Sequence, residues 1–237
     1  MRKHHRTVDR VAALLDAVAG DGSGLSLTEL AGRLDAPVSS VQKLVDGLVA
    51  TGYLDERDRR YVLGPAPWVL ATRAGSAPVP AIPHEALQHL SAATGLPVLL
   101  AARVGDTAVY VDWAGTDEAF DVALSARVRT SLAATAAGRV LLAWRPADER
   151  RRVALGAGGD PAASARLTGA LERIRRDGHE HGDSGPLLPG AVAVAVPLRR
   201  GAEVTGALAV AARTVRRRRL PASVVDTLEH VARTWST

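Results

Sequence analysis

Apolar residues recur at helical spacing three times within the first fifty positions of the chain. Intervals of three and four residues place each set on one face of a helix. The three stripes are Val8, Val11, Leu15 and Val18; Leu27, Leu30, Ala31 and Leu34; and Val41, Leu44, Val45 and Leu48. The pattern therefore predicts three short amphipathic helices that share one core.

Residues between the stripes predict where these helices begin and end. The segment "AGDGSG" contains three glycines and predicts a loop after the first helix. Ser26 precedes the second stripe with Glu29 three residues later, which is the pattern of a capping box. Pro37 separates the second helix from the third, and Gly52 stands where a left-handed C-terminal cap belongs.

The following segments predict a hairpin and then a boundary between domains. "YLDERDRRYVL" has apolar ends and a charged middle, which indicates a β-hairpin with its turn in "ERDRR". "GPAPWVLATRAGSAPVPAIP" contains five prolines and indicates a helix-bearing linker. We predict an N-terminal domain over residues 1–64, a helical linker over 65–80 and a second domain over 81–237.

The second half mixes helical and strand patterns. "LPVLLAARVGDTAVYVDW" and "AVAVAVPLRRGAEVTGALAVAAR" predict hairpins, and "AFDVALS" alternates like a strand. Helices are predicted in "HEALQHLSAATG", "TAAGRVLLAW", "PADERRRVAL", "DPAASARLTGALERIRRDG" and "ASVVDTLEHVARTW". We expect an α+β domain built around a largely antiparallel sheet.

Composition narrows the choice of function only slightly. The chain has 237 residues and no cysteine, which excludes disulfides, thiolate metal sites and cysteine nucleophiles and suits the cytoplasm. No run of eighteen apolar residues occurs, so neither secretion nor a membrane span is expected. The net charge of +5 suits a polyanionic partner, but residues 1–73 carry ten Lys/Arg against nine Asp/Glu. A nucleic-acid surface there depends on where the charges lie.

The third helix has a polar front that suits a DNA groove. Val38, Ser39, Ser40, Gln42 and Lys43 precede or flank its apolar stripe. Serine and glutamine can hydrogen-bond to base edges, and lysine can neutralise a phosphate. We therefore predict a helix-turn-helix; a three-helix bundle with a solvated polar face is the plainer alternative.

Other predicted DNA contacts lie outside the third helix. The hairpin would be a wing that brings basic side chains to phosphates or a minor groove. The candidates are Thr28 in the second helix and Arg57, Arg59 and Arg60 in the hairpin.

The segment "LSLTELAGRLDAPVSSVQKLVDGLVATGYLDERDRRYVLGP" resembles the winged helix of IclR-type bacterial transcriptional regulators. The resemblance extends over nearly the whole chain through "VGDTAVYVDWAG", "TSLAATAAGRVLLA" and "LPGAVAVAVPLRRGAEVTGALAV". It implies a GAF-like C-terminal domain that holds a small molecule, and dimers or dimers of dimers on operator DNA. It also implies four replacements in the third helix. Ser39 and Ser40 stand where the family usually has Ser-Thr, and Gln42 stands where it has His or Tyr. Lys43 stands where the family often has Arg, and Val38 where it often has Lys.

In that family the effector lies in a cup between the sheet and the loop that precedes the "GRVLLA" helix. Ala133 stands where the family often has His, Ala193 where it has Cys or Ser, and Leu187 and Leu188 where it has acidic residues. Asp183 and Thr135 remain as polar candidates, with Trp113 and Leu132 as apolar ones. These replacements favour a bulkier, less charged effector than a short organic acid, with a vestigial pocket as the alternative.

Three further features allow competing interpretations. His179, His181 and Asp183 could bind a metal from a strand, but we interpret "GHEHGD" as a polar loop after a helix. Neither H-E-x-x-H nor G-x-S-x-G occurs, so no metal, no cofactor and no enzymatic activity are expected. The alternative function is an enzyme or metal-binding protein that uses the cup, with the N-terminal domain as an interaction module.

Two basic segments and two tryptophans complete these interpretations. "RKHHR" at the N-terminus could be an arm on phosphates, whereas residues 213–220 favour a solvated or inter-subunit surface. Trp68 and Trp113 are expected to pack rather than to stack on a ligand.

Overall fold

The computed structural model describes residues 5–74, 82–116, 121, 124, 129–156, 160–185, 189–213 and 220–236. The chain divides into two compact units, Met1–Ala77 and Pro78–Thr237. Each unit has its own hydrophobic core. Within the described residues, no helix is long and apolar enough to cross a membrane.

The N-terminal unit contains the predicted three helices and hairpin. Its elements are α1 (Arg6–Ala19), α2 (Leu27–Arg33), α3 (Val38–Ala50), β1 (Leu54–Arg57), β2 (Arg60–Leu63) and α4 (Ala66–Arg73). Strands β1 and β2 pair antiparallel, and Leu25 adds an isolated antiparallel bridge to Tyr61. This bridge fixes the chain before α2 to the hairpin.

The core of this unit consists of the three predicted apolar stripes. Leu14 and Val18 from α1, Leu30 from α2, and Val41 and Val45 from α3 are buried together. Burial of each such side chain contributes about 1.5–3 kcal/mol, which is what holds three short helices in place. In α4, by contrast, no residue is buried, and Trp68 is 71% exposed. The expectation that Trp68 packs is therefore wrong within the described residues.

The C-terminal unit is the expected α+β structure around an antiparallel sheet. Its helices are α5 (His84–Thr94), α6 (Ala136–Ala143), α7 (Ala147–Gly156), α8 (Pro161–Asp177) and α9 (Ala222–Trp235). Its strands are β3 (Val98–Val104), β4 (Thr107–Ala114), β5 (Thr130–Ser131), β6 (Glu180–Asp183), β7 (Ala191–Arg200) and β8 (Glu203–Arg213). The strand order is β5-β4-β3-β8-β7-β6, and every neighbouring pair is antiparallel.

Strict alternation along β7 and β8 gives the sheet two chemically different faces. One face, here called the alanine face, is packed against α6 and α8 and includes Ala101, Ala191, Ala193, Ala195, Ala207, Ala209 and Ala211. The other is packed against α5 and α9 and includes Val98, Leu100, Val194, Val196, Leu198, Leu208 and Val210. Successive side chains of a strand point to opposite faces, so the written alternation "AVAVAV" separates small from large residues. The short alanines leave room for α6 to lie close to the strands.

Two predictions for this unit are wrong, and one strand was not predicted. "GHEHGD" was expected to be a loop, but Glu180–Asp183 pairs with β7 as the edge strand β6. "AFDVALS" was predicted as a strand, yet its two described residues, Asp121 and Leu124, are helical. The short strand Thr130–Ser131 was not predicted at all. Strands β5 and β6 are each held by pairing with a strand that is distant in the chain.

Candidate DNA-binding surface and ligand site

The turn between α2 and α3 is held by backbone hydrogen bonds. Asp35 adopts a left-handed conformation (φ 45°), and the Ala36 N–H donates to the Ala31 carbonyl at 3.1 Å. This six-to-one bond is the Schellman arrangement, which satisfies carbonyls at a helix end. Pro37 then caps α3 without a side-chain hydrogen bond. The angle between the two helices is thus set by the backbone of three residues.

The predicted capping box of α2 is present and extends to the hairpin. Glu29 N–H donates to Ser26 Oγ at 3.3 Å, and Ser26 N–H donates to Glu29 Oε2 at 2.7 Å. The backbone bond from Ser26 holds the pKa of the Glu29 carboxyl below its ordinary value.

Arg60 connects the hairpin to the same region. Its Nη2 donates to the Gly24 carbonyl at 2.8 Å and lies 3.4 Å from Glu29 Oε2. Its Nε donates to the same carbonyl at 3.1 Å. The side chain predicted to contact DNA therefore holds β2 against the loop before α2, which is a positioning role.

The front of α3 is exposed where a DNA partner would need it. Val38, Ser39 and Lys43 are exposed and Ser40 is half-buried, while Val41 and Val45 enter the core on the other side. The first N–H groups of a helix have no carbonyl partner within it, and Pro37 provides no capping side chain. These amides and the helix dipole both favour an anion at this end.

The side-chain amide of Gln42 is already hydrogen-bonded within the protein. Its Nε2 donates to Asp46 Oδ1 at 2.5 Å, one turn further along α3. It also hydrogen-bonds to the Tyr61 hydroxyl, which lowers the pKa of Tyr61 against the larger effect of burial that raises it. The amide of Gln42 would have to exchange these partners to bind a base edge.

The predicted wing turns at Asp58 and Arg59. Both residues have positive φ (51° and 60°), as a two-residue type I′ hairpin turn requires. Arg59 and Arg57 are exposed, and Arg57 Nη2 lies 3.7 Å from Asp55 Oδ2. Two arginines of the predicted wing are therefore on the surface at its tip.

In the C-terminal unit, Thr135 lies inside the structure and caps α6. Its hydroxyl accepts a hydrogen bond from the Gly138 N–H at 2.9 Å, and the side chain is fully buried. Tyr110 of β4 reaches the same hydroxyl. Burial raises the pKa of Tyr110, and the hydrogen bond to Thr135 and the charge of Arg139 oppose this rise. Thr135 thus connects β4 to the start of α6.

Arg139 and Glu180 form a buried ion pair beside this group. Arg139 Nε lies 2.7 Å from Glu180 Oε1, with only 13% and 8% of the two side chains exposed. Arg139 Nη1 also donates to the Ala133 carbonyl at 3.0 Å. A Cβ at Gly182 would collide with this guanidinium, so glycine there gives Arg139 its space. The pair fixes the loop before α6 to the edge strand β6.

The predicted effector residues are only partly brought together. Leu132 and Ala193 belong to the core on the alanine face, and Trp113 and Ala133 pack against it. Trp113 Nε1 also donates to Asp121 Oδ1 at 2.9 Å, in keeping with the packing role expected of it. Asp183 is exposed on the edge strand. Leu187 and Leu188 lie outside the described residues.

Sequence reasoning missed four polar residues around this group. They are Tyr110, Arg139, Glu180 and Ser184. Ser184 is buried, and its hydroxyl has no hydrogen-bond partner among the described residues. The next residue, Gly185, packs against Thr135, because a Cβ there would lie 2.7 Å from Thr135 Cγ2. The arginine of "GRVLLA" was the one signal in the sequence that pointed here.

His179, directly before β6, and His181, within it, were the candidate metal ligands. Among the described residues, no group of three or more His, Asp or Glu side chains could hold a metal ion. His179 Nδ1 lies 3.0 Å from Glu229 Oε1, and its ring packs edge-on to that of His181 at 5.4 Å. Of the predicted basic arm, residues 2–4 are not described, nor are residues 214–219 of the arginine run.

Comparison with known protein families identifies the family of this chain. Residues 72–237 match the family described as "Bacterial transcriptional regulator IclR C-terminal", and residues 7–58 match the IclR helix-turn-helix domain. The chain belongs to the IclR family. The expected family and fold are thereby confirmed.

Named relatives in the IclR family are regulators. The chain is 32% identical to the HTH-type transcriptional regulator BhcR of Paracoccus denitrificans over 154 residues, 62% of this chain and 53% of the relative. It is 29% identical to TtgV of Pseudomonas putida over 153 residues, 64% of this chain and 58% of the relative. The chain thus spans rather more than half the length of these IclR relatives.

A solved IclR structure shows the same fold. The chain is 22% identical to an IclR homologue from Microbacterium hydrocarbonoxydans, with a TM-score of 0.72 over 97% of both chains. That homologue was crystallised in complex with 4-hydroxybenzoate.

Proposed function

We propose that this IclR-family protein is a transcriptional regulator that binds double-stranded operator DNA through α3 and the β1–β2 hairpin. The observation that carries the proposal is the front of α3, whose exposed start is oriented by a rigid turn. Membership in a family of regulators supports the same function. The related chains bear the names of regulators, and we propose that this protein likewise is not an enzyme.

The exposed side chains of α3 would make different kinds of contact with the DNA. Ser39 and Ser40 are short enough for the helix to approach base edges, and Val38 can contact a thymine methyl group. Lys43 has no carboxylate partner among the described residues and would neutralise a phosphate.

The remaining predicted DNA residues fall into three kinds. Thr28, exposed on α2, and Arg57 and Arg59 on the wing would contact the DNA backbone. Gln42 would read a base only after releasing Asp46. Arg60 would act through the position of the hairpin.

In the C-terminal unit we propose a site for a weakly charged small molecule near the start of α6. Leu132, Ala133 and Ala193 offer apolar surface, and Thr135 and Ser184 offer hydroxyls. The Ser184 hydroxyl has no hydrogen-bond partner among the described residues, which supports a ligand that supplies this bond. Burial of Thr135 and Ala193 means that a bulky ligand must open the packing here.

Binding of this effector would act on DNA affinity through assembly. We propose a homo-oligomer, a dimer or dimer of dimers, with residues 1–64 as the DNA-binding domain, 65–80 as the linker and 81–237 as the effector and oligomerisation domain. An effector that favours one arrangement of subunits changes the spacing of the two α3 helices. Half-sites would lie about one helical turn apart or a multiple of it. Operator binding in a bacterium places the protein in the cytoplasm.

A gel-shift titration tests the DNA-binding proposal. The full chain is titrated onto duplex from upstream of its own coding sequence, with excess random duplex as competitor. A complex that survives the competitor supports the proposal, and loss of all binding overturns it. Lys43→Ala should weaken the complex, whereas Arg173→Ala, an exposed arginine of α8, should leave it unchanged.

The effector proposal has its own calorimetric test. Benzoate and a larger neutral aromatic amide are compared with acetate and pyruvate as ligands of the full chain. Tight binding of a two- or three-carbon acid that Ser184→Ala weakens would contradict a weakly charged site. Ser184→Ala should weaken binding of the ligand that does bind, with Ser223→Ala on α9 as the exposed control.

A further inference from the structure

A cavity lies away from the proposed effector site, at the open edge of β7. Strand β6 pairs with β7 only as far as Ala195, so Val196–Arg200 continues beyond it. The cavity has a volume of about 400 Å³ and lies beside this free edge, between the end of α8 and α9. Arg199 is six residues from Ala193 along β7, which is about 20 Å at the rise of a strand. The cavity is therefore not part of the effector cup.

The lining combines an apolar wall with an excess of positive charge. Trp144, Val196 and Pro197 form the wall, and four arginines face two carboxylates. Both carboxylates are already engaged: Asp177 Oδ1 lies 3.1 Å from Arg176 Nε, and Glu229 contacts His179. Glu229 also lies 3.8 Å from Arg233. Among the described residues this leaves Arg175 and Arg199 without a carboxylate partner.

Arg199 is stacked and half-buried, so a bound anion would compensate its charge. Its guanidinium carbon lies 4.4 Å from the centroid of the Trp144 ring, so one face of the group is stacked. Half-burial removes water from this cation, and this desolvation lowers the pKa of Arg199. The backbone N–H of Arg199 donates to Ser236 Oγ at 3.0 Å, which fixes the end of the strand.

The geometry of the stack selects a ligand class. A guanidinium carries five N–H donors in its plane, and stacking on an aromatic ring leaves those edges free. Two parallel N–H donors match the two oxygens of a carboxylate. The apolar wall suits an aromatic or aliphatic body attached to that carboxylate, and the volume falls within the range of small-molecule pockets.

We infer that the cavity at the edge of β7 is a second ligand site, which binds a small organic carboxylate between Arg199 and the wall formed by Trp144, Val196 and Pro197. Arg175 adds a second cation at its mouth. The site is independent of the DNA-binding function and of the effector cup proposed above. Its occupant would fix α9 against β7 through the same strand end that Ser236 contacts.

Fluorine NMR on the full chain tests this inference with benzoate as the probe. The chain has four tryptophans, so protein grown on 5-fluorotryptophan reports on both sites at once. Trp144 belongs to the new cavity and Trp113 to the effector cup, and Trp→Phe variants assign their signals. Benzoate should shift the Trp144 signal saturably, whereas the uncharged isostere benzamide should not.

Variants separate a direct contact from an indirect one. Arg199→Gln should weaken benzoate binding about ten-fold at the Trp144 signal, the usual effect of losing one charge-assisted hydrogen bond. Arg175→Gln, a change at an exposed position, should weaken it by a smaller factor and serves if the first variant folds poorly. Arg173→Gln lies outside the cavity and should have no effect.

Four results would overturn the inference. The first is the absence of a saturable Trp144 shift at millimolar benzoate, and the second is an equal response to benzamide. The third is a Trp144 signal that moves with protein concentration and not with benzoate, which would make this edge a contact between copies of the chain. A benzoate shift at Trp144 that survives Arg199→Gln and Arg175→Gln would likewise exclude the proposed contacts.

Discussion

The front of α3 and the start of α6 present their candidate residues in opposite ways. Ser39 and Lys43 extend from α3 into solvent, while the opposite side of the helix is buried. Thr135 and Ala193, by contrast, lie within the core of their unit. A surface that binds DNA can have its final form before the DNA binds. A buried site for a small molecule must instead be closed by packed side chains or filled by the ligand. The first kind is visible in local sequence, and the second depends on residues far apart in the chain.

The largest effect is expected where the inner site is held together. Arg139→Met leaves the carboxylate of Glu180 buried without its partner and should destabilise the C-terminal unit by about 3–5 kcal/mol. Urea unfolding, with hydrogen exchange of α6 and β6 peptides, measures the loss. The double variant Arg139→Met/Glu180→Met removes both charges and should recover most of it. Equal loss in both variants would show that the ion pair is not the cause.

A second prediction concerns the backbone that supports the hairpin. A Cβ on Gly64 would overlap the carbonyl of Gly52, so Gly64→Ala should destabilise the N-terminal unit by about 2–3 kcal/mol. Gly47, on the exposed side of α3, has open space around its Cβ position. Gly47→Ala should therefore stabilise the same unit by about 0.5–1 kcal/mol. Thermal unfolding of the two variants should move in opposite directions, and a shared direction would contradict the packing argument.

The third prediction divides base recognition from charge neutralisation on α3. Ser40→Ala should cost about 1–3 kcal/mol on one specific base pair and little on random duplex. Lys43→Ala should weaken binding to all duplexes and reduce the slope of log K against log salt by about one. Fluorescence anisotropy at several salt concentrations separates the two. If both variants affect specific and random DNA alike, Ser40 does not contact a base edge.

The smallest effect is expected at the cap of α2. Ser26→Ala removes the bond to the Glu29 N–H and should cost about 1 kcal/mol of stability, because an N-terminal N–H loses its partner. The folded-state pKa of Glu29 is lowered from 4.5, so its contribution is present above that pH and is lost as the pH falls through the lower value.

A stability profile from pH 7 to pH 3 checks the sign of this dependence. In Ser26→Ala the decline on the acid side should be shallower than in the unaltered chain. An unchanged profile would show that the Ser26 hydroxyl, as distinct from the Ser26 backbone N–H, does not lower the pKa of Glu29. Ser39→Ala on α3 is the matched control, since among the described residues its exposed hydroxyl contacts no carboxylate.

Particular residues show why some elements could be predicted and others could not. The cap at Ser26 and the left-handed turn at Gly52 were predictable because both depend on contacts within a few residues. Edge strand β6 was missed because "EHGD" has no strand alternation, and its place is set by pairing with Ala195 and by the Arg139 contact. Arg60 was given a DNA role because its backbone partner, Gly24, lies 36 residues earlier.

The sequence by itself determined the three-helix and hairpin order, the polar front of α3, and the alternation of alanine with larger residues along β7 and β8. Helical and strand periods, caps and turns are set by neighbouring residues, and these can be seen in the printed chain. Only the tertiary structure decided that Gln42 is held by Asp46 and Tyr61, and that Arg139 and Glu180 are paired across 41 residues. The structure alone also placed Arg199 on Trp144 with no carboxylate partner among the residues that it describes. The availability of a charged or hydrogen-bonding group depends on which distant partners fold against it, because burial removes the water that would otherwise satisfy it.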